Sequence, residues 1–321
     1  MPALLQLSDI QVEFTVRRRL FRSLPVRAVD GVSVSLERGE TMALVGESGS
    51  GKTTLGRASL RLIDVKSGHI EFDGHDITNY PESKLKWFRK RAQFIFQDPY
   101  SSIDPFMNVY QILEEPLLIH GIGEHKDRIN DALASVHLTP PGNYMDRYPH
   151  MLSGGMRQRV GIARALMLQP EFVVADEPVS MVDASSRAEI LDLLRDLQNE
   201  SQISVLYITH DIATVRHFAN KLAVMYLGNI VEIGPPSRII ERPLHPYTQA
   251  LIESVPEPDP LNRLAERKVV PGEIPSSLNI PPGCQFHTRC PEAIPGLCNI
   301  LKPQLSEIET DHETACHLYP R

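Results

Sequence analysis

The sequence predicts an α/β protein with a mainly parallel, doubly wound sheet, and two observations support this prediction. Residues 46–53 read Gly-Glu-Ser-Gly-Ser-Gly-Lys-Thr, which matches the phosphate-loop pattern G-x-x-x-x-G-K-[ST] at every fixed position. The loop follows the apolar run 42–45 and precedes a helix-compatible stretch, as that motif requires. Strand and helix patterns then alternate at 172–175, 190–197 and 203–209. Strands that alternate with helices form parallel sheets.

The loop at 46–53 has the chemistry of a nucleotide site. Its glycines let backbone N–H groups converge on phosphate oxygens, and the following helix presents its positive end to the same anion. We expect Lys52 to reach the β- and γ-phosphates and the Thr53 hydroxyl to bind Mg²⁺. The loop residues predicted to contact the nucleotide are Gly46, Glu47, Ser48, Gly49, Ser50, Gly51, Lys52, Thr53 and Thr54.

Composition excludes several classes of protein. The chain has 321 residues and a net charge of −7, so its bulk charge does not point to a nucleic-acid partner. The first residues lack a basic segment followed by a long apolar one, and no run of roughly 18 apolar residues occurs. We therefore expect a cytosolic protein that reaches a membrane only through a partner.

The first third of the chain predicts β structure. Residues 4–16 alternate like a strand with one buried face, at an edge of its sheet, and 32–36 predict a second strand. The basic stretch 17–23 is interpreted as a solvated loop, with a phosphate or partner contact as the alternative. Residues 68–74 predict a hairpin strand.

The middle of the chain is mostly helical. Residues 83–91 predict a basic helix, 94–96 a short buried strand, and 108 to about 168 a helical insertion. One helix in the insertion is marked by apolar residues one turn apart, Ile129, Ala132, Leu133 and Val136.

The chain ends in an irregular region. Residues 222–226 and 230–233 predict a hairpin, and beyond 235 the composition becomes rich in proline. We therefore expect a main domain at 1–240, with a helical subdomain at about 98–168, and a small irregular extension at 241–321 that holds all four cysteines.

An acidic element completes the predicted nucleotide site. The apolar strand at 172–175 ends in Asp176 and Glu177; we expect Asp176 to hold Mg²⁺ and Glu177 to act as general base. Gln97 and His210 each follow a strand, at the sheet edge where the γ-phosphate would lie.

A second anion-binding pattern identifies a family. Leu152-Ser153-Gly154-Gly155 precedes a helix predicted at 160–168, although one chain has no evident use for two phosphate sites. Here the sequence resembles the ATP-binding-cassette (ABC) family over 4 to about 240. The signatures occur in order: phosphate loop, Gln97, 152–155, Asp176-Glu177, 180–183 and His210. The resemblance implies a P-loop cassette with a mainly parallel sheet, an antiparallel β subdomain and a helical subdomain.

The resemblance also implies residue roles. In that family two domains pair head to tail, so Ser153, Gly154 and Gly155 would cover the ATP held by the partner's phosphate loop, and Asp183 would belong to the same site. His210 would contact the γ-phosphate, and Gln97 would link Mg²⁺ to the membrane subunits. The catalytic residues would be Lys52, Gln97, Glu177 and His210. The residues that bind Mg²⁺ would be Thr53, Gln97 and Asp176. The aromatic residue that stacks on the adenine would be Phe14, with Phe21 as the second choice.

Two departures from the family pattern, at Met156 and in the 180–183 loop, remove no charged catalytic group. A less active site in one half of a heterodimer stays open as an alternative.

Other stretches resemble the dipeptide and oligopeptide importer ATPases; they are 28–33, 46–49, 96–102, 245–251, 271–275 and 282–290. The resemblance implies an ATP-hydrolysing motor at the cytoplasmic face of a prokaryotic inner membrane. Its partners would be a second, different ABC ATPase subunit, two transmembrane permease subunits and an extracytoplasmic substrate-binding protein, with no nucleic acid. An importer for oligosaccharides or nickel chelates and a non-transport ABC ATPase are the alternatives.

The four cysteines require a local explanation. Cys284, Cys290, Cys298 and Cys316 include no Cys-x-x-Cys pair, which argues against a zinc ribbon. Four thiolates can hold a [4Fe–4S] cluster, and the resemblance to certain peptide-importer ATPases implies one. Structural Zn²⁺ and unligated thiols are the alternatives.

Overall fold

The computed structural model describes residues 3–19, 22–216, 218–254, 272–276 and 278–319. The chain divides into two compact units. The first unit comprises Glu37–Glu40 and Asn79–Tyr207, and the second unit comprises the described residues within Pro2–Leu36, Thr41–Thr78 and Ile208–Arg321. The division predicted at residue 240 stays a prediction.

The strands of the described residues are, in chain order, β1 (Leu5–Arg19), β2 (Arg22–Leu36), β3 (Thr41–Val45), β4 (Ser67–Phe72), β5 (His75–Asp76), β6 (Ala92–Ile95), β7 (Phe172–Asp176), β8 (Ser204–Thr209), β9 (Lys221–Tyr226), β10 (Asn229–Gly234), β11 (Ser306–Glu309) and β12 (His312–Thr314).

The α-helices are α1 (Lys52–Ser59), α2 (Lys86–Arg91), α3 (Pro99–Ser102), α4 (Val109–His120), α5 (His125–Ser135), α6 (Gly154–Leu166), α7 (Ala184–Ser201), α8 (Ile212–Val215), α9 (Pro236–Glu241) and α10 (Pro246–Glu253). None of the helices in the described part of the chain combines the length and the apolar character needed to cross a membrane.

The second unit contains an antiparallel sheet with the strand order β2-β1-β4-β5. The prediction that the first strand lies at an edge is wrong, because β1 pairs with β2 on one side and with β4 on the other. The interpretation of 17–23 as a loop is also wrong for its described residues, since β1 continues to Arg19 and β2 begins at Arg22.

The second unit also contains five strands in the order β11-β12-β10-β9-β3. The strand β3, which is buried along its whole length, runs parallel to β9, and β9 forms the predicted hairpin with β10. On its other side β10 pairs with β12, so the C-terminal tail adds two strands to this sheet. The sequence did not predict these two strands.

The tail also contributes to the hydrophobic core of the second unit. Tyr247 and Phe286, from the region predicted to be irregular, are almost fully buried beside Tyr226 of β9. The three rings lie with centroids 4.6 to 5.4 Å apart. Burial of three aromatic side chains is a large contribution to stability, so this part of the tail is integral to the unit.

The first unit contains β6, β7 and the part of β8 up to Tyr207, and β6 runs parallel to β7. The helices α2 to α7 also belong to the first unit. The helix predicted at 83–91 is interrupted: a 3₁₀ turn covers Glu82–Lys84, and α2 starts only after Leu85. The helix predicted at 160–168 begins six residues earlier, at Gly154.

Candidate nucleotide site

The phosphate loop joins β3 to α1, and its glycines are required by close backbone contacts. At Gly46, where φ is 151°, a Cβ atom would lie 2.1 Å from the carbonyl oxygen of Met225. At Gly51, where φ is 103°, it would lie 2.2 Å from that of Ala28. Any larger residue would collide with backbone that cannot move aside, so the loop conformation depends on glycine at both positions.

Lys52 is held inside this loop. Its Nζ donates hydrogen bonds to the carbonyl oxygens of Gly46 at 2.8 Å and Glu47 at 2.9 Å, and lies 3.4 Å from Ser50 Oγ. The residue is only 6% exposed. The positive charge is therefore fixed at the centre of the loop, where a phosphate group would need it. Thr53 and Thr54 are in the first turn of α1, and Ser48 and Gly49 are exposed.

Glu47 is fixed by two residues of the C-terminal region. Arg289 forms two hydrogen bonds with its carboxylate, Nη1 to Oε2 at 2.9 Å and Nη2 to Oε1 at 3.1 Å. The Tyr247 hydroxyl accepts the Glu47 N–H at 2.8 Å. The sequence analysis missed both residues, because Arg289 and Tyr247 are 242 and 200 positions away from Glu47. The only signal that could have identified them is that they lie in the stretches 282–290 and 245–251, which resemble the importer ATPases.

Asp176 and Glu177 stand together in the first unit, at the end of β7. Asp176 is buried, with 3% of its surface exposed. Glu177 has a φ of 44°, and its carbonyl oxygen accepts hydrogen bonds from the N–H and the hydroxyl of Ser180, both at 3.1 Å. A non-glycine residue in the left-handed region is uncommon and is often found at functional sites.

Gln97 and Glu177, both in the first unit, are in contact. Gln97, which follows β6, donates from Nε2 to Glu177 Oε2 at 2.8 Å. The Gln97 amide therefore orients the carboxylate that is predicted to be the general base, and this hydrogen bond uses only Oε2 of that carboxylate.

The signature residues form the start of α6. Ser153 is its N-cap and accepts the Met156 N–H at 3.3 Å, while its side chain is exposed. A Cβ atom at Gly155 would lie 3.1 Å from Ser186 Oγ, so the helix start packs closely on the beginning of α7. Asp183 is exposed and caps α7 by accepting the Ser186 N–H at 2.9 Å.

The remaining predicted residues lie in the second unit. His210 is exposed directly after β8. Phe14 is 43% exposed on β1, opposite Val26 of β2, and the pair Val16 and Leu24 next to it is exposed to a similar extent. An apolar surface of this kind can accept the face of a base. Phe21 lies outside the described residues.

The tail thiols lie close enough to one another to affect each other's pKa. Burial is the main cause that raises the pKa of Cys284, Cys290 and Cys316, the last to about 11, and neighbouring thiols raise all three further. Cys298 is buried, and its Sγ accepts the Ile294 N–H at 3.3 Å. Within the described ranges, no group of three or more His, Cys, Asp or Glu side chains is arranged to hold a metal ion.

Comparisons with known proteins identify the family. A family model described as ABC transporter matches residues 29–180, and one described as the C-terminal region of oligopeptide and dipeptide transporters matches 231–298. The oligopeptide transport ATP-binding protein AppF of Bacillus subtilis is 45% identical, over 98% of this chain and 97% of its own. The dipeptide transport ATP-binding protein DppF of Escherichia coli is 46% identical, over 95% and 91%.

This chain belongs to the ABC transporter family, among the oligopeptide and dipeptide transport ATP-binding proteins. The resemblance seen in the sequence is confirmed.

Solved structures confirm the predicted fold class. An ATP-binding-cassette dimer in a post-hydrolysis state, bound to ADP and Pi, matches with a TM-score of 0.65 and 25% identity over 72% of this chain and 98% of its own. A cassette from Clostridium perfringens, part of an ABC transporter complex, matches with a TM-score of 0.66 and 26% identity over 75% and 92%.

Proposed function

We propose that this protein is the ATP-binding and ATP-hydrolysing motor subunit of a membrane importer for di- and oligopeptides. Identity of 45% over 98% of the chain with an oligopeptide transport ATP-binding protein carries the proposal, because the match includes both the cassette and the tail. An importer for oligosaccharides or nickel chelates is the second candidate within the same family.

The contacts of Lys52 and Glu177 support their proposed catalytic roles. The loop around Lys52 binds the β- and γ-phosphates, and Glu177, oriented by Gln97, takes a proton from the attacking water. His210 contacts the γ-phosphate, and Phe14 stacks on the adenine. Thr53, Gln97 and the buried Asp176 are oxygen donors of the kind that Mg²⁺ prefers, and the ion would neutralise charge on the phosphates.

Hydrolysis takes place in a head-to-tail dimer of two cassettes, in which Ser153, Gly154, Gly155 and Asp183 contact the ATP of the partner. The start of α6 supports this role because a helix N-terminus with a serine cap and glycine at its first two positions favours phosphate. The second cassette is a different chain. Residues 1–240 form the ATPase domain, and 241–321 form the importer-type extension.

The dimer works with two transmembrane permease subunits at the cytoplasmic face of the cell membrane. Peptides reach the permease from an extracytoplasmic binding protein. Membership of a family whose members are named for peptide transport supports this assembly.

A mutant allele tests the transport function. In the source organism, Lys52→Ala should abolish uptake of labelled di- and oligopeptides and leave uptake of free amino acids unchanged. Loss of oligosaccharide or nickel-chelate uptake with intact peptide uptake would assign the second candidate. The purified Lys52→Ala protein should have lost ATP binding, and a variant that still binds ATP normally would refute the role of the loop.

The four tail thiols, Cys284, Cys290, Cys298 and Cys316, are the proposed ligands of a [4Fe–4S] cluster, with Zn²⁺ as the alternative. Neighbouring thiols raise the pKa of Cys284 and Cys316, which supports the proposal that the four sulfur atoms lie near one another. Four thiolates are the usual ligands of a [4Fe–4S] cluster. Anaerobic purification followed by iron, sulfide and zinc analysis tests the proposal. About four irons and four sulfides per chain would support the cluster, zinc alone would assign the alternative, and metal-free protein with four titratable thiols would remove both.

A further inference from the structure

The C-terminal tail is bound directly to the phosphate loop. Arg289 lies in the irregular part of the tail, and its side chain is only 4% exposed. Its guanidinium and the Glu47 carboxylate meet through two parallel hydrogen bonds of 2.9 and 3.1 Å. A bidentate arginine–carboxylate pair fixes the direction of both groups as well as their distance.

The guanidinium is itself held in place by aromatic residues. Its Cζ lies 5.9 Å from the ring centroids of Tyr226 and Phe286, and Nη1 is 3.4 Å from the Tyr226 hydroxyl. Cation–π contact in a buried setting adds to the ion pair. The position of the Arg289 side chain is therefore set by its contacts with core residues of the second unit.

Tyr247 fixes the backbone at the same residue. Its hydroxyl accepts the Glu47 N–H at 2.8 Å, and the residue has no exposed surface. Glu47 is thus held through its side chain by Arg289 and through its backbone by Tyr247.

The residue held in this way is the one that shapes the loop around Lys52. The ammonium group of Lys52 bonds to the carbonyl oxygens of Gly46 and Glu47, which are the two peptide units flanking the Glu47 N–Cα–C segment. A shift of Glu47 would therefore move the lysine that is expected to bind phosphate.

The charge of Glu47 has a second consequence. A carboxylate next to an anion-binding loop would repel a triphosphate, because like charges repel and the repulsion is stronger at a partly buried site than in bulk water. Arg289 compensates that charge at hydrogen-bond distance. The Glu47–Arg289 pair therefore orients the loop and also reduces the repulsion between the Glu47 carboxylate and a bound phosphate.

We propose that Arg289 and Tyr247 are positioning residues of the nucleotide site, through which the tail sets the affinity of the phosphate loop for ATP. The inference rests on the proposed function, since it concerns the same ATP. The tail would then be part of the nucleotide site as well as part of the core.

The test uses the full-length protein and three measurements for each variant: the Kd for a fluorescent ATP analogue, the KM and kcat for ATP hydrolysis, and the melting temperature. Arg289→Met should raise Kd and KM about tenfold, with kcat unchanged within about twofold, because the residues of hydrolysis are not altered. Tyr247→Phe should raise Kd less, since it removes one neutral hydrogen bond.

A double variant distinguishes charge compensation from simple anchoring. In Arg289→Met the Glu47 carboxylate is left without its ion pair, whereas Glu47→Gln/Arg289→Met has no such charge. The double variant should therefore bind ATP more tightly than Arg289→Met. A double variant that binds ATP no more tightly than Arg289→Met would overturn the charge argument.

Lys302→Met is the matched control. Lys302 is also a tail residue that forms an ion pair with the body of the second unit, to Asp30 Oδ2 at 2.8 Å, but that pair does not include Glu47. Its Kd should equal that of the wild type. Equal weakening by Lys302→Met and Arg289→Met would overturn the proposal in favour of general tail anchoring.

Arg289→Lys keeps the test decisive if Arg289→Met does not fold. Lysine preserves the charge without the two parallel bonds, so an intermediate Kd is expected and a wild-type Kd would overturn the positioning role. Wild-type protein that fails to bind ATP would refute the proposed function itself, whereas binding that is insensitive to Arg289 and Tyr247 would refute this inference alone.

Discussion

Ser153 combines a structural and a proposed functional role. Its Oγ caps α6 through the Met156 N–H, and its exposed side chain is proposed to cover the partner's ATP. Ser153→Asp separates the two roles, because aspartate caps helices as well as serine but adds a negative charge beside the phosphates. We expect the free energy of unfolding to change by less than about 0.5 kcal/mol and ATP-driven dimerisation to weaken at least about tenfold.

Thermal melting and size-exclusion chromatography with ATP, in a Glu177→Gln background, measure these two effects. Ser153→Ala is the matched variant: it loses the cap, at about 1 kcal/mol, and has no added charge. Dimerisation of Ser153→Asp at the wild-type level would contradict the contact with phosphate.

Glu177 carries the general-base role, and a substitution can remove that role with little change of shape. Glu177→Gln keeps the size of the side chain and a partner for Gln97, but an amide cannot accept the proton of water. Phosphate release should fall by about 100-fold or more, and the ATP-bound dimer should persist. Gln97→Ala, which leaves the carboxylate without its 2.8 Å partner, should slow release less. Normal turnover in the Glu177→Gln protein would show that the base is another group.

The strand β12 is attached to β10 through a buried hydrogen bond between a histidine and a carboxylate. Glu232 of β10 is fully buried, and its carboxylate accepts hydrogen bonds from His312 Nε2 at 2.8 Å and from the N–H groups of Leu244 and His245. His312→Leu would leave a buried carboxylate without one of its partners, so we expect a loss of about 3 kcal/mol in the free energy of unfolding. Urea unfolding followed by circular dichroism measures it.

His69→Leu is the control for this element. The pair of His69 with Asp76 joins β4 to β5 in the same way, but both side chains are mostly exposed. An exposed pair contributes little, so this variant should unfold at nearly the wild-type urea concentration. Equal losses in the two variants would show that burial of the Glu232 pair does not matter.

The tail strands show where sequence patterns fail. The strands β11 and β12 are short and rich in polar residues, with glutamate at 307, 309 and 313, so alternation of apolar residues cannot mark them. They form because β10 offers an unpaired edge and Glu232 needs a partner, and both facts belong to tertiary structure. The misplacement of β1 at an edge has the same origin: alternation reports a buried face and does not report which strands lie beside it.

At the scale of the whole molecule, the sequence predicted the residues of the motifs but not the distant residues that hold those motifs in place. Spacing within one motif identified Lys52, Gln97 and Glu177 because each motif is a local strand–loop pattern. Arg289 and Tyr247 reach Glu47 across more than 190 residues, and no local pattern records such a contact. The four cysteines were found by counting, and their ligation stays a prediction.

The stability of the whole chain should depend on pH through His245. This residue is 1% exposed, and its Nδ1 accepts the Tyr247 N–H at 3.0 Å, so the imidazole must be neutral at that nitrogen to cap α10. Burial lowers the pKa of His245 to about 4, although the nearby Glu232 acts in the opposite direction. Between pH 6.5 and 4 the unfolded chain binds a proton there and the folded chain does not.

Stability is therefore lost as the pH falls through this window, by up to about 3 kcal/mol from His245 alone. Melting temperatures at pH 7 and pH 5 measure the loss, and His245→Asn isolates the contribution of this residue from that of other titrating groups. Asparagine retains a cap acceptor for α10 and does not titrate, so the variant should melt lower at pH 7 but show a shallower dependence on pH. A variant with the wild-type slope would show that His245 does not titrate in this range, and that the pH dependence of the second unit arises from other groups.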